Sequence, residues 1–218
     1  FRGKNPSQPL LIVHGAGSAG HAIAKQYNLR EGTRGDSAKE LGALQIRLNN
    51  QYLNTAIASA LVSAGVPATT VQTGVVVKQT QGVICDFSTQ SIHDTLLNHC
   101  VPVMYGEMVF DTDWGMSVCS GDSIIAELVQ EFSVTKVIHA SDVDGVYDRD
   151  PYLVPQAKKI PSLTIQQLQD PSVAEIGQSH HVADVTGGLR YKIMSLANQK
   201  DSGALETLVI LDGTKRGN

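Results

Sequence analysis

A short apolar run, Leu10-Leu11-Ile12-Val13, opens directly onto His14-Gly15-Ala16-Gly17-Ser18-Ala19-Gly20-His21. A helical pattern follows. Glycines between a strand and a helix let the backbone approach a ligand closely, and a helix start presents unpaired N–H groups to an anion. The expectation is a strand, a phosphate-holding loop and a helix. The plain alternative is a tight turn without a ligand. His21 sits one residue past the last glycine, at the helix start, where an imidazole can donate to a phosphate oxygen. His14, at the strand end, reads as structural.

The same loop matches G-x-G-x-x-G literally. A dinucleotide site needs an acid about 20 residues on, at the end of a second strand. Here the pattern from about Ala22 to Ala64 is helical, and Glu31 and Asp36 have no strand before them. Ala43, Ile46, Asn50, Leu53, Ile57, Ala60 and Leu61 recur at helical spacing and predict one packed face. There is no G-x-x-x-x-G-K-[ST], so the loop is not a P-loop.

Three further segments carry chemistry. Ser120-Gly121-Asp122 follows a strand-like run and opens a helix. Asp122 reads either as an N-cap or as a carboxylate at a ligand-facing strand end. Ala140-Ser141-Asp142-Val143-Asp144-Gly145-Val146-Tyr147 follows the apolar strand Lys136–Ala140. Asp184-Val185-Thr186-Gly187-Gly188 opens another helix, with Lys192 one turn in. Two glycine-rich helix starts, a lysine, a histidine and two acidic strand ends suit phosphoryl transfer. Such catalysis is mostly positioning and charge neutralisation.

Composition narrows the class. Of 218 residues, 17 are Lys or Arg and 21 are Asp or Glu, giving a net charge of −4. A mildly acidic chain without a basic run argues against a nucleic-acid partner. No stretch is long and apolar enough to cross a bilayer. Three cysteines without a CxxC pair fit a reducing, cytoplasmic setting. Short apolar strands alternating with helices predict an α/β fold with a mostly parallel sheet in a single domain.

The four segments, in order, resemble the amino acid kinase superfamily and, within it, the isopentenyl phosphate kinase family. That family's His-Gly-Ala-Gly-Ser-Phe-Gly-His loop stands at His14–His21, with Ala19 in place of the aromatic. Its Ser-Gly-Asp stands at Ser120–Asp122. Its Thr-Asp-Val-Asp-Gly-Val-Tyr stands at Ser141–Tyr147, and its Asp-Val-Thr-Gly-Gly with a spaced lysine at Asp184–Lys192. Glu107 stands where the family has Asp after the strand-end glycine, Gly106.

The resemblance implies a three-layer αβα sandwich around an open, mostly parallel central sheet, in a homodimer. It implies transfer of the γ-phosphoryl group of ATP, carried with Mg²⁺, to isopentenyl phosphate in isoprenoid synthesis. His21, Asp122 and Lys192 take the catalytic roles. Ala16, Gly20, His21 and Gly121 bind the acceptor. Gly15, Gly17, Asp142, Asp144, Gly145, Tyr147, Gly187, Gly188 and Lys192 line the ATP site. No protein metal ligand is implied. Alternatives are a related phosphonate or phosphate kinase of the fosfomycin-resistance type and a non-catalytic nucleotide-binding module. The family begins with a strand ending in Lys-x-Gly-Gly-Ser, which nothing before Leu10 matches. The expectation is a chain without that strand and without a last C-terminal one.

Overall fold

The computed structural model describes residues 8–141, 145–149, 153–162, 164, 167, 196 and 205–215. The chain divides into two compact units, Phe1–Ile124 and Ile125–Asn218.

The first unit begins with β1 (Ile12–His14) and α1 (Gly17–Gln26), then a 3₁₀ turn at Leu29–Glu31 and the long α2 (Ser37–Ser63). After it come β2 (Ala68–Thr70), the single-turn α3 (Thr73–Val76), β3 (Val77–Thr80), β4 (Val83–Phe87) and α4 (Gln90–Leu97). Three strands follow: β5 (Val101–Tyr105), β6 (Glu107–Asp111) and β7 (Gly115–Cys119). Finally α5 (Gly121–Glu131) starts here and runs on past the boundary.

β5 lies between β1 and β2, parallel to both. All five of its residues are buried, which is why it reads as an unbroken apolar run rather than an alternating one. A second sheet has the order β4-β3-β6-β7, with β3–β4 and β6–β7 antiparallel and β3–β6 parallel. Gly106 joins β5 to β6, so one nearly continuous stretch of chain serves both sheets. The mixed α/β character matches expectation, and the strand-like run before Ser120 is β7, paired antiparallel with β6.

The helical stretch expected from Ala22 to Ala64 is two helices. It breaks between Tyr27 and Asp36, where Asn28, Gly32 and Gly35 take positive φ. The break has a tertiary cause: a Cβ on Gly32 would stand 2.5 Å from Trp114 Cβ. Asp36 caps α2, its carboxylate accepting from the Ala38 and Lys39 amides. That use of Asp36 also removes it as a dinucleotide-site acid. The far end of α2 closes on Gly65 (φ 80°), with Val66 N–H donating to Leu61 C=O and Gly65 N–H to Val62 C=O.

The buried face of α2 also differs from the expected one. It contains Gly42, Ala43, Ile46, Arg47, Asn50, Asn54 and Ala58. Leu53 is 38% exposed and Ala60 is exposed. Ala43, Ile46 and Asn50 of the expected face are buried, Arg47 and Asn54 join them in place of Leu53 and Ala60, and all three polar side chains hydrogen-bond main-chain carbonyls. Leu41, Leu44, Leu48 and Tyr52 form an exposed apolar stripe instead. The core here joins Leu29, Ala43, Ile46, Met108 and Met116, with Ile23, Ala24 and Tyr27 against them.

The second unit pairs β8 (Lys136–Ser141) in parallel with a C-terminal strand, and a short hairpin lies between them in sequence. The hairpin strands are β9 (Val146–Tyr147) and β10 (Lys159–Ile160), and the last strand is β11 (Thr207–Asp212). Ala126, Val129, Val137 and Leu196 form its core. The expected helix Gly188–Lys200 lies outside the described residues, apart from Leu196. Among the described residues, no helix is long and apolar enough to cross a membrane.

One carboxylate organises the tips of the first unit's hairpins. Asp111 is 5% exposed. Its Oδ1 accepts from the Gln81, Asp113 and Trp114 amides, and its Oδ2 from the Gly82 amide and the Ser117 hydroxyl, at 2.7–3.1 Å. Burial works against the charge. The Gly82 amide, Ser117 hydroxyl and the Trp114 and Asp113 amides outweigh it and hold the carboxyl at about 2. A depressed folded-state pKa contributes stability above the unfolded value, lost as pH falls through the folded one. The chain is therefore expected to lose about 2 kcal/mol from this group between about pH 4 and pH 2. Asp111→Asn should flatten that part of the stability–pH curve in urea titrations. An unchanged slope would place the acid sensitivity elsewhere.

Candidate active site

β1 ends at His14, and α1 begins at Gly17. The N-cap of α1, Ala16, gives no side-chain cap, and no acid stands in the first turn. The leading N–H groups of α1 therefore have no anionic side chain of their own helix to satisfy them. Gly17 has φ 64°, and a Cβ on either Gly15 or Gly17 would meet nothing within 4 Å. These two glycines border open space, as a ligand-approach role requires. Gly20 differs. Its Cβ would stand 2.5 Å from Ala16 Cβ and 3.7 Å from Asn50 Oδ1. Gly20 thus leaves room for Ala16 at the start of α1, with Asn50 and Ile46 of α2 nearby. His21, half-buried in α1, makes no hydrogen bond with a described residue.

Two other segments meet this loop. Gly106 N–H donates to His14 C=O at 2.9 Å, continuing the β1–β5 ladder past its end. A Cβ on Gly106 would stand 3.0 Å from the Gly121 nitrogen. A Cβ on Gly121 would stand 3.4 Å from Val13 Cγ1 and 3.6 Å from the His14 carbonyl oxygen. The ends of β1 and β5 and the start of α5 therefore converge, and glycine is what lets them. Ser120 caps α5, accepting from the Ser123 amide at 3.1 Å. That corrects the N-cap reading of Asp122, which lies in the first turn instead.

His14 is held from three sides. Its ring stacks on Tyr105 with centroids 5.5 Å apart. Nε2 lies 3.2 Å from Asn54 Oδ1, and Nδ1 lies 2.9 Å from the Gly15 carbonyl oxygen. Behind the loop, Glu107 is fully buried and faces Arg47 at 3.5 Å; its other oxygen accepts from the Gly74 amide. Burial pushes the Glu107 carboxyl up, and the Arg47 guanidinium and Gly74 amide pull against burial. Burial, reinforced by the Glu107 charge and opposed by Arg47, likewise raises the Tyr105 hydroxyl.

In the second unit, Gly145 is buried, and a Cβ there would stand 2.6 Å from Lys159 Cε. Tyr147 is half-buried on β9, opposite Lys159. Asp142, Asp144, Gly187, Gly188 and Lys192 lie outside the described residues. Arg47, Asn54 and Lys159 are the residues that the sequence reading passed over. The signal for the first two was available: polar residues at 47, 50 and 54 share one face of a helix that must be buried. A depression of about 450 Å³ between α2 and β2, lined by Thr55, Ala58, Ser59, Val62, Ala68 and Thr70 among others, shares no residue with this cradle.

A strand, a glycine loop bordering open space and an uncapped helix start on an α/β scaffold suit a protein that binds anionic groups. The chain belongs to the amino acid kinase family, whose model matches residues 2–211. It is similar over its full length to the isopentenyl phosphate kinase of Methanocaldococcus jannaschii, 30% identical and covering 78% of that protein. The isopentenyl phosphate kinase of Methanothermobacter thermautotrophicus is 31% identical over 92% of the chain, covering 75% of the relative. A solved isopentenyl phosphate kinase structure superposes with a TM-score of 0.78 at 29% identity, covering all of this chain and 80% of the other.

Proposed function

We propose that this chain is an ATP-dependent isopentenyl phosphate kinase. The observation that carries the reading is full-length similarity to isopentenyl phosphate kinases at about 30% identity. An oxygen of the acceptor phosphate attacks the γ-phosphorus of ATP. A new P–O bond forms, the bond from that phosphorus to the β–γ bridging oxygen breaks, and isopentenyl diphosphate and ADP leave.

The cradle geometry supports placing the acceptor phosphate at the start of α1. Ala16 offers a backbone N–H group there, Gly17 offers one to ATP, Gly121 borders the loop, and His21 donates from one turn further on. Gly15 borders the ATP phosphates, and Gly20 borders the acceptor. Asp122 orients lysines, and Lys192 neutralises the transferring group. Asp142, Asp144, Gly145, Tyr147, Gly187 and Gly188 line the nucleotide side. Mg²⁺ supplies charge neutralisation on the phosphates of ATP. On this reading the ion enters as cargo of the nucleotide. The exposed apolar stripe on α2 supports a homodimer, which the sedimentation mass decides.

The test is direct. Purified protein with Mg-ATP should convert isopentenyl phosphate to the diphosphate and ADP. A protein that binds ATP but forms no diphosphate from isopentenyl phosphate, while phosphorylating a small phosphonate, would overturn the assignment.

A further inference from the structure

Helix α2 presents three polar side chains to the β5–β6 stretch, each donating to a main-chain carbonyl. Arg47 reaches Met108 at 3.2 Å, Asn50 reaches Gly106 at 2.8 Å, and Asn54 reaches Val103 at 3.2 Å. Asn50 is the central rung and is 1% exposed. An amide that deeply buried is retained only where its hydrogen bonds are specific, because burying it without partners is costly.

Its position is what matters. The Asn50 Nδ2 donates to the carbonyl of Gly106, the residue whose own N–H donates to His14 C=O. Gly106 in turn stands against the backbone nitrogen of Gly121, within 3.0 Å of its Cβ position. On the other side, Asn50 Oδ1 lies 3.7 Å from where a Gly20 Cβ would be. The Asn50 side chain thus holds the end of β5 through the Gly106 carbonyl and lies beside α1 at Gly20. Through Gly106 it also bears on the start of α5.

We propose that Asn50 is a positioning residue for the acceptor-phosphate cradle. It sets the spacing between the α1 N–H groups and the Gly121 backbone by fixing the Gly106 peptide from behind. The inference rests on the reading of this loop as the acceptor site. Asn50 lies behind the glycines, so it acts through them and not on the substrate. Small misplacements of binding groups are enough to change turnover strongly.

The experiment compares Asn50→Asp and Asn50→Ser with the unmodified protein. Asn50→Asp keeps the volume but removes the donor to Gly106, and Asn50→Ser shortens the reach without adding charge. The KM for isopentenyl phosphate is expected to rise about 10- to 100-fold in both, while the KM for ATP stays within about twofold. A rise in both KM values together, or an unchanged acceptor KM, overturns the proposal. So does loss of folding in both variants, which would assign Asn50 to the fold alone. Inorganic phosphate, titrated while the Gly17 and Gly121 amide resonances are followed, separates this inference from the functional reading. If the unmodified protein turns over no isopentenyl phosphate, the substrate assignment fails. Weaker phosphate binding in Asn50→Asp would still support the role, and equal binding would overturn it.

Discussion

Replacing Arg47 by methionine is expected to destabilise the protein by about 3–5 kcal/mol, because it leaves the buried Glu107 carboxylate without its counter-charge. The Glu107 side chain is fully buried, and the Arg47 guanidinium is 3.5 Å from its Oε1. That oxygen has no hydrogen-bond partner among the described residues, and the Arg47 ion pair compensates it. Arg47 also donates to the Met108 carbonyl and lies 5.3 Å from the Phe110 ring centroid. Gly74 leaves room for the arrangement: a Cβ there would lie 2.6 Å from Arg47 Nη2 and 2.7 Å from Glu107 Oε2.

The pH dependence follows from the direction of the Glu107 shift. Burial already raises this carboxyl, with Arg47 pulling against it. Without the guanidinium it rises further. A carboxyl whose folded-state pKa exceeds its unfolded value is stabilising only while protonated, so that stability is lost as pH rises through the folded value. The deficit of R47M should therefore be larger at about pH 8 than at about pH 5. Adding Glu107→Gln should recover a substantial part of it, since removing both charges is far less harmful than removing one. A melting temperature within about 2 °C of the unmodified protein would show that the pair contributes little.

Substituting His21 by alanine is expected to lower kcat about 10²- to 10³-fold, the loss typical of one preorganised donor to a reacting anion. Melting should hardly change, because the ring makes no hydrogen bond with a described residue. His21→Gln, which keeps an N–H donor, should retain more activity than His21→Ala. Steady-state kinetics with both substrates read the effect. Unchanged turnover in His21→Ala would remove this side chain from the reaction.

What could be read from the sequence was what local backbone chemistry dictates. The β5 run Val101–Tyr105 is apolar because it is buried on both faces, and a parallel central strand leaves few other patterns. The glycines of the first loop announced an approach to a helix start, which Gly17 meets with a positive φ and open space beside it. The break between Tyr27 and Asp36 was hidden. It depends on Gly32 meeting Trp114, more than 80 residues along the chain. The partners of the α2 asparagines were also hidden, although helical spacing already put Asn50 on the packed face. Asn usually marks caps and turns, and only the position of the β5 carbonyls shows why Asn50 and Asn54 face inward. Glu107 read as a substitution next to the site; its pairing with Arg47 depends on tertiary structure.

Asp111 has a consequence for motion. Its two oxygens hold amides from both the Gln81-Gly82 turn and the Asp113-Trp114 turn, tips of two different hairpins. Opening either tip strips hydrogen bonds from the same buried carboxylate, which weakens the hold on the other. Their amide protons should therefore exchange with deuterium at closely matched rates, as one cooperative unit rather than two independently fraying loops.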